Sequence, residues 1–158
     1  MSPRLTDEIR QGRPFRSAEQ EAHLSVSRTA AMLDHSFAEL VKPYGVTPTQ
    51  YNVLRILQGA GPQGLCRNDV RDRLVARVPD ASRLLDRLEE MGLVARERDR
   101  EDRRLVHARI TPRGEDVLAR LETPVDEIHR RQFGQLSEEE LRSLIGMLER
   151  VRSAIAAG

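Results

Sequence analysis

The stretch Ala81-Ser82-Arg83-Leu84-Leu85-Asp86-Arg87-Leu88-Glu89-Glu90-Met91-Gly92 decides the fold. Ala81, Leu84, Leu85 and Leu88 fall on one side of a 3.6-residue turn; Ser82, Arg83, Asp86, Arg87 and Glu90 fall on the other. This spacing predicts an amphipathic helix from about Pro79 to Met91, stopped by Gly92. Leu93 to Arg98 then reads as a short strand, Asp99-Arg100-Glu101-Asp102-Arg103 as a charged tip, and Leu105 to Ile110 as a returning strand. Val106, Ala108 and Ile110 alternate there with His107 and Arg109. Upstream, Arg67 to Ala76 predicts a shorter helix with Val70, Leu74 and Val75 inward, and Val78-Pro79-Asp80 makes the turn between the two helices.

Working outward, residues 1–16 hold two prolines and four arginines without periodicity and read as a partly disordered arm. Val26, Ala30, Leu33, Phe37, Leu40 and Val41 form a stripe that predicts a helix from about Ser17 to Lys42. Ser17 is its N-cap, Gln20 stands at the capping-box position, and Pro43 and Gly45 end it. Thr47-Pro48-Thr49-Gln50 repeats the cap, with a proline at the first helical position. Val46 can staple on Tyr51, and Leu54 and Leu57 continue the face until the glycines at 59, 61 and 64 break the chain. Thr111-Pro112 opens a helix with Val117, Leu118 and Leu121 inward, which Pro124 kinks or splits. In the last helix Ser137 caps, Glu140 closes the box and Leu136 staples on Leu141. The stripe Leu141, Leu144, Ile145, Leu148, Val151 and Ile155 runs nearly to its end. The expected fold is mainly α with a small β-hairpin.

Composition narrows the function. The chain has 158 residues, 39% hydrophobic and 32% charged, enough for one domain with a real core. Its net charge of +1 excludes a histone-like polycation. No uncharged stretch is long enough for a bilayer, so no membrane association is expected. Met1 to Glu8 has no apolar run, and no export signal is read there. One cysteine fits a reducing, cytoplasmic compartment. Only Lys42 is lysine among 26 basic residues; the rest are arginine, whose planar fork suits phosphates and base edges, although base bias in a genome gives the same excess. Residues 67–113 carry 13 basic and 10 acidic groups, against 6 and 9 in residues 114–158. The five aromatics are too few for a protein that stacks single-stranded bases.

Two short helices, a tight turn and a charged hairpin make a winged helix-turn-helix. The outer face of the second helix offers Ser82, Arg83, Asp86 and Arg87 to a major groove, where arginine forks onto guanine and aspartate accepts from cytosine or orients an arginine. The helix start at Pro79 and Asp80 turns backbone N–H groups toward a phosphate. Arg98, Arg100, Arg103 and Arg104 form a tip narrow enough for the adjoining minor groove. The same outer face is equally a salt-bridged solvent face, with Arg83 and Asp86 paired to neighbours.

The run from Ser82 to Arg96, the tip Asp99-Arg100-Glu101-Asp102-Arg103-Arg104, Ile110-Thr111-Pro112-Arg113-Gly114 and the upstream Val46 to Leu54 together resemble the MarR family of bacterial transcription regulators. The resemblance covers about Ser17 to Ile155. It implies a homodimer in which helices of about 17–42 and 112–156 intertwine. A winged helix-turn-helix of about 47–111 would bind a palindromic operator, so that 17–158 form one domain. It implies that Ser82, Arg83 and Arg87 face the major groove and that Arg104 enters the minor groove. Asp102 would brace the wing by an ion pair, and Asn68 and Arg71 would lie near the backbone. The turn Arg77-Val78-Pro79-Asp80 departs from the small-residue turn usual in the family and leaves the helix start open by about a residue. The long stripes of the first and last helices independently favour dimerisation over packing within one chain.

The family also implies a repressor released by a small aromatic or lipophilic effector, for which His35, Tyr44, Tyr51 and Arg55 are candidates; Tyr51 reads equally as a core residue. Cys66 reads as a small buried hydrophobe, with redox sensing through it as the alternative. His23, His35, His107 and His129 show no metal-ligand spacing, so no metal or cofactor is expected. No nucleophile elbow, P-loop or dinucleotide motif is present, and no enzyme is expected. A dimeric protein-binding adaptor is the remaining alternative, disfavoured by the arginine-rich tip.

Overall fold

A computed structural model describes residues 4–158, so residues 1–3 of the expected arm lie outside the described residues. The chain divides into two compact units, one running to Pro48 and one spanning Thr49–Gly158. Among the described residues no helix is long and apolar enough to cross a membrane.

In the first unit the arm contains a short helix, α1 (Leu5–Glu8), and the predicted long helix is α2 (Ala18–Val41). Glu8 of α1 pairs with Arg28 of α2 at 3.7 Å. The Ser17 hydroxyl accepts from the Gln20 N–H at 3.2 Å. The Gln20 side chain accepts from Arg16 N–H at 2.8 Å, one residue before the cap, so the reciprocal bond of a capping box closes on the neighbour instead. A 3₁₀ turn, Lys42–Tyr44, ends α2 at Gly45. Val26 and Met32 remain largely exposed along α2, and only Val41 is buried.

The second unit opens on α3 (Pro48–Ala60), which buries Val53, Leu54 and Leu57. After the glycine break comes β1 (Leu65–Cys66), a two-residue strand too short for side-chain alternation to signal. It pairs antiparallel with β3 (Val106–Ile110) through Leu65 opposite Ala108 and Cys66 opposite His107. Gly64 permits this approach: its φ is +68°, and a Cβ would lie 2.4 Å from the Ala108 carbonyl oxygen.

α4 (Arg67–Arg73) is shorter than predicted. Val70 is fully buried, Leu74 is half-buried, but Val75 is 91% exposed rather than inward. The chain turns extended at Leu74, and the Val75 N–H donates to Asn52 Oδ1 at 3.0 Å on α3. Pro79 further disfavours helix at Val78. Asp80 is the N-cap of α5 (Ala81–Glu90), its Oδ1 accepting from Arg83 N–H at 3.0 Å, so the helix starts two residues later than predicted. Ala81, Leu85 and Leu88 are buried and Leu84 is half-buried. Gly92 N–H bonds the Glu89 carbonyl at 2.9 Å and Leu93 N–H the Leu88 carbonyl at 3.0 Å, a Schellman closure around a glycine with φ +73°.

β2 (Val94–Arg98) and β3 (Val106–Ile110) pair antiparallel from Val94 opposite Ile110 to Arg98 opposite Val106, giving the sheet order β1-β3-β2. The hairpin foot is tied down by Thr111, whose hydroxyl donates to the Gly92 carbonyl at 2.7 Å and accepts from Gly114 N–H at 3.1 Å. From that cap runs α6 (Pro112–Phe133), continuous through Pro124 and not split by it. Leu121, Val125 and Ile128 bury one stripe on both sides of the proline, and burial of this kind, roughly 1.5–3 kcal/mol per large aliphatic side chain, offsets a lost backbone bond.

The predicted capping box of α7 (Glu138–Ala157) is present: Ser137 Oγ accepts from Glu140 N–H at 3.2 Å and Ser137 N–H donates to Glu140 Oε2 at 2.8 Å. No residue of α7 is buried. Ile145, Val151 and Ile155 are 54%, 53% and 74% exposed.

Candidate nucleic-acid interface

α5 and the β2–β3 hairpin stand on either side of a notch of about 390 Å³. Arg67, Asn68, Ser82, Leu85, Arg96 and Arg104 are among its walls. The apolar face of α5 holds the helix on the core and leaves its polar face outward. The candidates therefore sort by what their side chains already hold.

On α5, Arg83 is exposed, and its side chain has no ion pair among the described residues. Arg87 pairs with Glu90 at 3.1 Å, one turn on. Ser82 is half-buried, and its hydroxyl accepts from Arg67 Nη1 at 3.0 Å, which fixes α4 against α5. Asp86 does not orient Arg83. Its Oδ1 lies 2.6 Å from Arg96 Nη2 on β2, so its carboxylate is already engaged. Asp80 spends an oxygen on the cap, and Pro79 beside it is exposed. On α4, Asn68 is exposed at the notch and Arg71 pairs with Asp72 at 2.9 Å.

The tip is braced differently from the expectation. Asp102 makes no ion pair among the described residues; its Oδ1 accepts from Arg104 N–H at 3.0 Å. The bracing carboxylate is Asp99, whose Oδ1 accepts from Glu101 N–H at 2.8 Å and Asp102 N–H at 2.9 Å. These amides, Asp102 first, hold its carboxyl below the usual carboxylate range, with His107 3.4 Å away adding to the effect. Asp99 N–H also bonds the Leu105 carbonyl at 2.9 Å across the tip. The signal for this was an Asp at the start of a polar turn between two strands, where its side chain satisfies amides two and three residues on. With the tip so fixed, Arg98, Arg100, Arg103 and Arg104 all stay exposed without an ion pair among the described residues.

Arg96 is the residue that sequence reasoning passed over. Its guanidinium reaches Glu89 Oε2 with Nε at 2.8 Å and Nη2 at 2.6 Å, besides Asp86. Glu89 above all, and Asp86 with it, raise its proton affinity above the ordinary arginine range despite partial burial. Strand alternation offered a signal, since Arg96 is in phase with buried Val94.

The remaining candidates belong to both units. In the first unit His35 is exposed and Tyr44 half-buried; in the second Tyr51 is half-buried and Arg55 exposed. Burial pushes the Tyr51 phenol up, opposed by Arg55 nearby. Arg55 Nη1 donates to Gln58 at 3.2 Å. Cys66 is half-buried and not inert packing: its thiol donates to Asp69 Oδ2 at 3.0 Å. No group of three metal-ligating side chains occurs among the described residues.

Comparison with known proteins agrees over most of the chain. A profile described as MarR family matches residues 44–105. The chain is 30% identical over 142 residues to YkoM of Bacillus subtilis (strain 168), named an uncharacterized HTH-type transcriptional regulator, covering 86% of this chain and 90% of that one. A solved MarR transcription factor from Planctomyces limnophilus is 39% identical with a TM-score of 0.66, over 86% of this chain and 98% of that one. The MepR–DNA complex of S. aureus is 26% identical with a TM-score of 0.71, over 81% and 96%.

Proposed function

The chain belongs to the MarR family of transcription regulators, which are not enzymes, and on that premise we propose that it is a homodimeric repressor of a palindromic operator, released by a small-molecule effector. DNA binding itself follows from the family and from the likeness to MepR, which was solved on DNA. The observation that carries the finer reading is the set of unpaired, exposed arginines. Arg83 lies on α5 and Arg98, Arg100, Arg103 and Arg104 on the tip, and of these Arg104 lines the notch between the two elements. Major and minor grooves adjoin across one sugar-phosphate strand. A helix and a ribbon flanking a notch are therefore placed to enter both, with arginine reading base edges in the one and narrow-groove potential in the other.

In this reading Asn68 and Arg71 meet the backbone, while Pro79 and Asp80 set the helix start. Ser82, Asp86 and Asp102 shape the surface more than they read it, because each already holds a partner. Arg87 remains available: an exposed pair such as that with Glu90 is worth about 0.2–1 kcal/mol, less than the roughly 1–3 kcal/mol of a forked guanine contact. Ile145, Val151 and Ile155 on α7, and Val26 and Met32 on α2, stay exposed in the single chain, which supports a dimer. His35, Tyr44, Tyr51 and Arg55 remain the effector candidates, offering a ring, two hydroxyls and a guanidinium. The reading places the protein in the cytoplasm, beside the DNA it would bind.

Selection of bound duplexes from a random pool tests the proposal. The expected product is a palindrome with half-sites about one helical turn apart. An asymmetric single site, or no enrichment, contradicts it.

A further inference from the structure

We propose that Arg96 is a positioning residue that sets the angle between α5 and the hairpin, and thereby base selectivity, without itself touching DNA. The proposal rests on the reading of α5 and the hairpin as the DNA-contacting elements. Asp86 and Glu89 are one turn apart on α5, and one guanidinium on β2 bridges both at 2.6–2.8 Å. Two anchor points on a helix fix its rotation as well as its distance, which one anchor cannot do. Among the described residues, every side-chain hydrogen bond or ion pair from α5 to the hairpin passes through Arg96. Its side chain is 28% exposed, less than those of Asp86 and Glu89, so it works from the shielded side of the pair. Arg83 and Arg87 flank Asp86 on the same helix, so a rotation of α5 displaces the two arginines assigned to the major groove. Lysine keeps the charge but is a point donor without the fork.

The test compares the intact protein with Arg96→Lys and Glu89→Ala, measuring affinity for the selected operator and for a random duplex over a range of salt. Both variants keep the arginines assigned to DNA, and thermal melts check that both fold. The expected result is a fall in the operator-to-random ratio of about tenfold or more in each, the size of one misaligned base contact. The slope of log K against log salt should stay unchanged. Glu89→Ala separates positioning from charge: removing a carboxylate should tighten binding to both duplexes if charge alone matters. An unchanged ratio in either variant overturns the proposal. So does a slope reduced by about 1 in a third variant, Arg96→Gln, whose lost charge would report a direct phosphate contact. An intact protein without operator preference would instead defeat the function on which the proposal rests.

Discussion

Replacement of Arg104 by alanine should weaken operator binding by about thirtyfold or more, because a lost groove contact costs roughly 1–3 kcal/mol and a dimer loses one in each half-site. The dimer should persist, because Arg104 sits on the hairpin tip and not on α2 or α7. The tip should keep its shape as well. What Arg104 gives the tip is its backbone N–H, bonded to Asp102, and alanine retains that group. The loss therefore reports on the side chain alone. Arg83→Ala should cost a similar factor but with a different signature, relaxed base preference at one position of each half-site. Its backbone N–H likewise continues to satisfy Asp80, so α5 stays capped. Titration of each variant onto operator and onto duplexes with single changed base pairs checks both. Binding unchanged in both variants would remove the docking arrangement proposed here.

A charge placed in the α7 stripe should have the second large effect. Ile145→Glu changes a side chain that is 54% exposed in the single chain, on a helix that buries no residue. For the lone fold this is a surface substitution, with a cost within about 0.5 kcal/mol. If the stripe meets a second copy, the same carboxylate must lose its water against an apolar surface, and the pairing fails. The expected outcome is a folded monomer by sedimentation, with operator affinity down by about two orders of magnitude or more. The second half-site contact then no longer benefits from being tethered to the first. A dimer that survives Ile145→Glu and Val151→Glu together would show that the stripe has another purpose.

The elements that could be read from residue order were those governed by local rules. Caps at Ser17, Thr111 and Ser137 each bond a backbone N–H within their own helix. Gly92 stops α5 through bonds reaching back two turns at most. What escaped depended on partners far along the chain. β1 is two residues long and exists because β3, some forty residues later, completes it. Val75 turns outward once Asn52 captures its N–H. Pro124 does not break α6, since the buried stripe on both sides holds the helix together. The candidate interface divides in the same way. Arg83 and the tip arginines were legible as charge on an outer face. The engagement of Asp86 by Arg96 was not, because it requires the hairpin to fold back along α5.

The dependence of operator affinity on salt bears most directly on the central claim, that these unpaired arginines grip a duplex. Each phosphate neutralised contributes about −0.9 to the slope of log K against log salt, so a dimer presenting Arg83, Arg98, Arg100, Arg103 and Arg104 twice should give a slope of several units. A slope near zero on the selected operator would contradict the account.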